Sequence, residues 1–282
     1  MILVFGKTGQ VATELQRLGD VVALGRDEAD LSDPQACADA IRANAPKAVI
    51  NAAAYTAVDK AEEEEAAATV INGDAPTAMA QVCAALGIPL VHISTDYVFD
   101  GMGDTPRFPD DPTAPQNIYG QSKLAGENGI RASGGVHAIL RTSWVVSAHG
   151  ANFVKTMLRL SEIRDSLNVV SDQNGGPTPA RDIAAACLQI VDQLIQDPAK
   201  SGTYHFSGAP DVSWADFAAE VFNQAERSVA VTSIHTAEYT TPAARPLNSR
   251  MDCSATEQAF GIARPEWRKG LNTILQELEG IR

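Results

Sequence analysis

The stretch ILVFGKTGQVATEL, residues 2–15, places a short apolar run directly before two glycines and a helix-like segment. Gly6 and Gly9 are three residues apart, and the small residue Ala12 follows at the same interval. Glycine is needed where a strand turns tightly into a helix and where backbone must approach a pyrophosphate. The N–H groups that begin such a helix bind phosphate oxygens. The stretch therefore predicts a dinucleotide site, with a purely structural turn as the alternative.

Four further apolar runs follow, and helix-like segments separate them. The strand-like runs are 2–6, 21–25, 48–54, 89–95 and 137–143, and the helix-like segments are 10–18, 34–44, 74–86 and about 118–132. Strands that alternate with helices of this length indicate a parallel sheet covered on both faces. We therefore expect an α/β fold with a Rossmann-type doubly wound parallel sheet.

The alternation weakens after Trp144. Helical patterns continue at about 152–164, 180–196, 213–225 and 265–279, separated by segments rich in glycine and proline. This organisation predicts an NAD(P)-binding Rossmann domain at 1–145 and a smaller, mostly helical substrate-binding lobe at 146–282. We expect segments of the second region to interleave with the first.

Composition narrows the class of protein. A net charge of −13 over 282 residues argues against a nucleic-acid polymer as partner, because phosphate backbones require a basic face. No apolar run approaches the roughly 18 residues that span a membrane, and the chain starts in a strand-like run without a basic leader. Its four cysteines form no C-x-x-C pair and its five histidines lack ligand spacing. A cytoplasmic enzyme without a metal is the expectation.

The residues that follow the second strand bear on the choice of cofactor. An acidic residue there would bind the ribose 2′-hydroxyl of NADH, whereas an arginine favours the 2′-phosphate of NADPH. The sequence ALGRDE places Gly25 and Arg26 at this point, which favours NADPH and leaves NADH possible. Asp30 and Leu31 are placed to flank the adenine.

The fourth strand is followed by STDYVFDG, which delivers Ser94, Thr95 and Asp96 to the carboxyl edge of the sheet. Ligands bind at that edge in open parallel sheets. A hydroxyl there can hydrogen-bond a substrate carbonyl and stabilise charge that develops on its oxygen. A threonine that only caps a turn is the alternative.

Tyr119 and Lys123 form the only Y-x-x-x-K motif in the chain. On a helix this spacing puts both side chains on one face. Reduction of a ketone needs a hydride and a proton, and lowering the pKa of a phenol from about 10 to about 7 takes roughly 4 kcal/mol. One cation about 4 Å away supplies a similar energy at an effective dielectric constant near 20. We therefore predict that Tyr119 is the proton donor and that Lys123 tunes its pKa.

Together these segments resemble the extended short-chain dehydrogenase/reductases, and within them the dTDP-4-dehydrorhamnose reductase family. The resemblance lies in seven segments, in order from residue 5 to residue 252: FGKTGQVATEL, NAAAYTAVDKAE, STDYVFDG, YGQSKLAGE, RTSWV, NFVKTMLRL and RPLNSRMD. It implies NAD(P)H-dependent reduction of the 4-keto group of dTDP-4-dehydro-L-rhamnose. Tyr119 would be the proton donor, Lys123 its modulator and Thr95 the hydroxyl partner.

The same resemblance assigns binding residues. Those expected to line the cofactor are Gly9, Gln10, Val11, Asp30, Leu31, Ala54, Tyr55 and Thr56. Those expected to face the nucleotide-sugar are Val58, Asp96 and Trp144. Apart from the resemblance, Arg245 and Arg250 are candidates for the substrate pyrophosphate because guanidinium groups suit phosphate oxygens.

One departure from the family pattern concerns a metal. Some members form dimers around a magnesium ion held by carboxylates, one of them in the position of Glu14. This chain carries Arg181 where a second glutamate is expected. We therefore expect Arg181 to pair with Glu14, and we expect a monomer or weak homodimer without Mg²⁺.

Two rival functions remain. A related sugar-nucleotide 4,6-dehydratase would carry Asp-Glu after the threonine, whereas here Tyr97 follows Asp96; an epimerase of the superfamily belongs to the same alternative. The other is a non-catalytic NADP-binding regulatory subunit that resembles the beta subunit of methionine adenosyltransferase. Retention of Thr95, Tyr119 and Lys123 argues against that role.

Overall fold

The computed structural model describes residues 1–280 and is organised around a parallel sheet of six strands. The strands of the chain are β1 (Ile2–Phe5), β2 (Val21–Leu24), β3 (Ala48–Asn51), β4 (Leu90–Thr95), β5 (His137–Thr142), β6 (Val145–Val146), β7 (Ser166–Val170), β8 (Asn174–Gly175), β9 (Thr178–Pro179), β10 (Gly202–His205), β11 (Val212–Ser213), β12 (Ala230–Ile234) and β13 (Asn248–Ser249). The six-stranded sheet has the order β2-β1-β3-β4-β5-β10, and every pairing in it is parallel.

Helices cover both faces of this sheet. Their bounds are α1 (Gln10–Leu18), α2 (Pro34–Asn44), α3 (Val58–Ala61), α4 (Glu65–Thr69), α5 (Ala75–Leu86), α6 (Ile118–Ala132), α7 (Phe153–Ser161), α8 (Ala180–Gln196), α9 (Trp214–Gln224), α10 (Ser254–Phe260) and α11 (Trp267–Gly280). One apolar core includes residues of α1 and α8, and the core on the opposite face includes residues of α2 and α5. The central strands β1 and β3 between them are fully buried, which explains their continuous apolar runs. The predicted Rossmann-type fold is confirmed.

Two elements beyond residue 145 complete the sheet region. Strand β10 pairs with β5 at one edge, and α8 packs beneath β3 and β4. The bounds of α8 agree with the predicted helix at 180–196, whereas β10 was not predicted, because GTYH is short and lacks an apolar run. The exact division of the chain at residue 145 stays a prediction.

Three helices among the remaining segments pack on a core of their own. Helices α7, α9 and α11 share a third core that contains Phe217 and Trp267, and β7 pairs with β12 beside it. A three-stranded sheet of order β11-β8-β13 connects distant parts of the chain. Each of its strands has only two residues, too few to produce a recognisable sequence pattern.

The acidic run at 61–68 is not one continuous helix. Helix α4 begins only at Glu65, and the preceding acids make specific contacts. The Glu62 carboxylate accepts a hydrogen bond from the Ile118 N–H, and Glu64 accepts one from the Tyr55 hydroxyl. The run therefore supports two neighbouring segments as well as facing water. None of the helices formed by residues 1–280 combines the length and the apolar character needed to cross a membrane.

Candidate active site

The glycine turn forms one wall of a groove at the carboxyl edge of the sheet. Gly6 has a φ of 108°, and a Cβ atom there would lie 3.3 Å from the backbone of Ala52, so this position requires glycine. Gly9 precedes α1, and a Cβ atom on it would meet nothing within 4 Å. The backbone of Gly9 is thus open to a ligand at the start of a helix, as an anion site requires.

The groove beside this turn encloses 470 Å³. Its lining contains these residues that the sequence analysis assigned to the cofactor: Gly6, Gly9, Arg26, Asp30, Leu31, Ala54 and Tyr55. Arg26 is exposed and makes no hydrogen bond or ion pair within residues 1–280, so its guanidinium group is available to a ligand. Lys7 also lines the groove, although its ammonium group is paired with Glu28 at 3.0 Å.

A second cavity, of 310 Å³, continues from the groove and shares Ala52 and Ala54 with it. It brings together Thr95, Tyr119 and Lys123, the three predicted catalytic residues. The other predicted residues in its lining are Gln10, Val11, Ala54, Thr56, Val58, Asp96 and Trp144. Strand ends and the first two turns of α6 therefore converge on one space.

The start of α6 fixes the position of Tyr119. The Asn117 side chain caps this helix by accepting a hydrogen bond from the Gly120 N–H at 2.8 Å, and it donates another to the Ala244 carbonyl at 2.8 Å. A Cβ atom on Gly120 would lie 2.2 Å from the Tyr97 carbonyl oxygen, so only glycine permits this approach. The ring of Tyr119 contacts that of Tyr97 edge-on, at a centroid distance of 5.4 Å.

The titration of Tyr119 differs from the sequence prediction. Burial raises the pKa of Tyr119 to about 12, although a hydrogen bond with Thr95 acts in the opposite direction. Burial also lowers the pKa of Lys123 to about 8. The net pKa of Tyr119 therefore moves opposite to the predicted direction, because burial is the largest influence on it and Asp96 acts in the same direction as burial. The phenol keeps its proton at neutral pH.

Lys123 is held below the cavity by β4. Its side chain is 1% exposed, and Nζ donates a hydrogen bond to the Ile93 carbonyl at 2.8 Å. The same nitrogen lies 3.1 Å from Nε2 of His92, which is fully buried. His92 is thus a hydrogen-bonded core histidine that contacts a predicted catalytic residue.

Thr95 and its neighbours supply further polar groups. The Thr95 hydroxyl donates to an Asp96 carboxylate oxygen at 3.2 Å and accepts a hydrogen bond from the Tyr97 N–H at 3.2 Å. Burial raises the pKa of Asp96 to about 6. The buried hydroxyl of Thr142, in the same lining, has no hydrogen-bond partner within residues 1–280. A polar ligand in the cavity would satisfy that hydroxyl.

A third cavity, of 480 Å³, lies on the other side of Tyr97 and contains Arg245. Arg245 Nη2 donates to Asp59 at 2.7 Å, whereas its buried Nη1 has no hydrogen-bond partner within residues 1–280. Arg250 lines none of these three cavities, and its Nη1 donates to the Asn248 side-chain oxygen at 3.2 Å. Of the two arginines predicted as candidates for the substrate pyrophosphate, Arg245 lines a cavity and Arg250 lines none of the three.

Trp144 lines the second cavity and contacts a tryptophan that lines the third. Its indole stacks on that of Trp214 with centroids 3.5 Å apart, and its backbone has a φ of 48°. A Cβ atom on Gly175 would lie 3.0 Å from the Trp144 ring. Trp144 therefore lines the second cavity, named the catalytic cavity because it contains Thr95, Tyr119 and Lys123. Protein groups also pack closely against its indole.

The residues around Glu14 do not fit a magnesium site. The Glu14 side chain contacts Arg17 Nη1 at 3.1 Å and His149 Nε2 at 2.9 Å, and Arg181 lies 3.9 Å away, as predicted. Glu14, His149 and Glu277 have ligand-type atoms within 4.8 Å of one another, but Arg17 bridges both glutamates. Mg²⁺ prefers an octahedron of oxygen ligands. A guanidinium group already occupies the centre of this cluster.

Several lining residues were not assigned from sequence. They are Ile93, Tyr97, Thr142, Ser143 and Val145 in the catalytic cavity, and Lys7, Thr8, Asp27, Ala29 and Ile71 in the groove. Tyr97 carried a usable signal, because it directly follows the strand-end STD segment. Trp214, which lines the third cavity, carried no such signal, because its contact with Trp144 depends on how α9 packs.

Comparisons with known proteins agree with this geometry. Residues 1–279 match the model of the RmlD substrate binding domain family. A dTDP-4-dehydrorhamnose reductase of Sinorhizobium fredii is 43% identical, over 98% of this chain and 97% of the relative. A crystal structure of a dTDP-4-dehydrorhamnose reductase from Clostridium acetobutylicum superposes with a TM-score of 0.92 at 36% identity, covering 99% of both chains. The Bacillus anthracis dTDP-4-dehydrorhamnose reductase in complex with NADP gives 0.90 at 34% identity, with 98% of both chains covered.

Proposed function

Because this chain belongs to the dTDP-4-dehydrorhamnose reductase family, we propose that it reduces the 4-keto group of dTDP-4-dehydro-β-L-rhamnose to give dTDP-L-rhamnose. The observation that carries this proposal is the convergence of Thr95, Tyr119 and Lys123 in one cavity that continues into the glycine-turn groove. A ketone reductase needs a proton donor beside a dinucleotide site, and this arrangement provides it.

The groove would hold NADPH. Gly6 and Gly9 let the backbone approach a pyrophosphate, and the N-terminus of α1 favours its negative charge. The exposed Arg26, which has no partner in the part of the chain that the structure describes, suits a 2′-phosphate, and this supports NADPH over NADH. When bound, the nicotinamide would supply the hydride, and every other role falls to residues of this chain.

Tyr119 would donate the proton to the developing alkoxide. Because burial raises its pKa to about 12, the phenol is protonated before the reaction and can act as an acid. Thr95, hydrogen-bonded to Tyr119, would share in stabilising the oxygen that becomes negative. Lys123 would position the sugar hydroxyls of the cofactor from below, since Nζ lines the same cavity.

The third cavity would hold the nucleotide part of the substrate. Its lining is largely apolar and includes Phe153, Leu167 and Trp214, which suit a nucleobase. Arg245 lines it, and its Nη1 has no hydrogen-bond partner among residues 1–280, which suits a pyrophosphate oxygen. Tyr97 lines both this cavity and the catalytic one, so a single elongated ligand can extend through both.

A direct assay tests the proposal. The purified chain is mixed with NADPH and dTDP-4-dehydro-β-L-rhamnose, and NADPH absorbance is followed while the product is identified by mass spectrometry. We expect absorbance to fall only when the sugar nucleotide is present. No turnover would contradict the catalytic role and leave the non-catalytic alternative in its place.

A further inference from the structure

The hydroxyl group of Thr142 is a buried polar group in the catalytic cavity that the proposed function does not yet use. Thr142 is the last residue of β5, is 4% exposed and lines this cavity. Its hydroxyl oxygen has no hydrogen-bond partner within residues 1–280. Buried polar atoms are almost always hydrogen-bonded, so an unpaired one beside a cavity indicates a polar group on the ligand.

Two hydroxyl groups next to Thr142 in the same lining are already paired. Thr95, its register partner in β4, donates to Asp96 at 3.2 Å. Ser143, the next residue along the chain, donates to the Gly176 carbonyl at 3.2 Å. The hydrogen-bonding capacity of Thr142, unlike that of these neighbours, is therefore left for a ligand.

The alternation of side chains along β5 indicates which side of the sheet Thr142 faces. Leu140 belongs to the core that includes residues of α1, whereas Arg141 donates to a carboxylate of α6 on the opposite face at 2.9 Å. Thr142 therefore lies on the α1 side. Gln10 and Val11, at the start of α1, line the same cavity. The free hydroxyl thus shares the side of the sheet on which the glycine turn passes into its helix.

A nicotinamide ring has the chemistry that these residues can recognise. It is a flat ring with one uncharged polar substituent, a carboxamide, which offers both a donor and an acceptor. A threonine hydroxyl can serve as either partner. The cavity lining also contains the apolar side chains of Val11, Ile93 and Val145, which suit the faces of an aromatic ring.

We propose that Thr142 is a cofactor-binding residue whose hydroxyl hydrogen-bonds the nicotinamide carboxamide of NADPH. This contact restrains rotation of the ring about its bond to the ribose, so that the ring is held in one orientation toward the substrate. The inference rests on the proposed placement of NADPH in the groove and the catalytic cavity.

Calorimetric titration of the full chain with two ligands tests this contact. 2′-Phospho-ADP-ribose has the adenine, the 2′-phosphate and the pyrophosphate of NADPH but lacks the nicotinamide. Thr142→Val replaces the hydroxyl with a methyl group, and the Kd for NADPH should rise by roughly three- to tenfold, the effect of losing one neutral hydrogen bond. The Kd for 2′-phospho-ADP-ribose should not change.

Two further variants serve as controls. Thr142→Ser keeps the hydroxyl and should bind NADPH as the unmodified chain does. Thr232→Val makes the same substitution at an exposed position of β12 and should leave both Kd values unchanged. Because the Thr142 hydroxyl has no partner within residues 1–280, Thr142→Val should not lower the thermal midpoint of the unliganded chain.

The outcomes separate this contact from its alternatives. Equal rises in Kd for both ligands, or an NADPH Kd that Thr142→Val leaves unchanged, would overturn the inference. A KM for the sugar nucleotide that rises while the NADPH Kd stays the same would overturn it too, and would assign the hydroxyl to the substrate. Neither titration contains the sugar nucleotide, so absence of turnover in the unmodified chain would contradict only the proposed function.

Discussion

The cavity around Tyr119 and the cavity around Arg245 adjoin at Tyr97 but are built differently. The first is formed mainly by strand ends and α6, and buried hydrogen bonds hold its polar groups. The second is lined largely by apolar side chains from α7, β7 and α9, with the ion pair of Arg245 and Asp59 also in its lining. Fixed polar groups suit bond-making chemistry, whereas an apolar slot with a guanidinium group suits recognition of a nucleotide. Substitutions in the two cavities should therefore affect different kinetic constants.

The largest effect should come from Tyr119→Phe. Removing the hydroxyl removes the proton donor and leaves the ring in place, so kcat should fall by roughly 10²- to 10⁴-fold. NADPH affinity, measured by fluorescence titration, should change little. A variant with near-normal kcat would remove Tyr119 from the proton-donor role.

A smaller effect, in the other cavity, should follow from Arg245→Gln. Loss of a charged hydrogen-bond donor should raise KM for the sugar nucleotide by roughly tenfold, with NADPH affinity unchanged. Arg250→Gln is the matched control, since Arg250 lines none of the three cavities. Equal changes in the two variants would mean that Arg245 has no special contact with the substrate.

Arg26→Ala should have a more modest effect, confined to the cofactor groove. Because Arg26 is exposed, its contact with a 2′-phosphate is screened by solvent, and KM for NADPH should rise by roughly fivefold. KM for NADH should stay the same, since NADH has no phosphate at that position. Equal increases in KM for NADPH and for NADH would exclude Arg26 from the 2′-phosphate site.

The smallest effect should come from metal removal. Arg17, His149 and Arg181 surround Glu14, so activity and sedimentation should not respond to EDTA or to added Mg²⁺. Arg181→Glu provides the comparison, because it replaces one cation with a carboxylate. A loss of activity in the unmodified chain on treatment with EDTA would contradict the interpretation that the residues around Glu14 do not bind Mg²⁺.

These two cavities also differ in how far the sequence predicts them. The sequence predicts Thr95, Tyr119 and Lys123 because a parallel sheet brings its strand ends to one edge and because the Y-x-x-x-K spacing puts two side chains on one face of a helix. It does not predict the contact of Trp214 or the Arg245 nitrogen that lacks a partner within residues 1–280, since both depend on packing between segments far apart in the chain. The pKa of Tyr119 was predicted in the wrong direction, because the cost of burial cannot be read from the spacing of two residues.

Hydride should reach C4 of the sugar while Tyr119 supplies the proton. Incubation with NADPH that carries deuterium at both positions of nicotinamide C4, followed by proton NMR of the sugar nucleotide, tests this directly. We expect deuterium at C4 of the sugar in dTDP-L-rhamnose with the unmodified chain and almost no product with Tyr119→Phe. Deuterium absent from C4, or a labelled product formed at a similar rate by the variant, would contradict it.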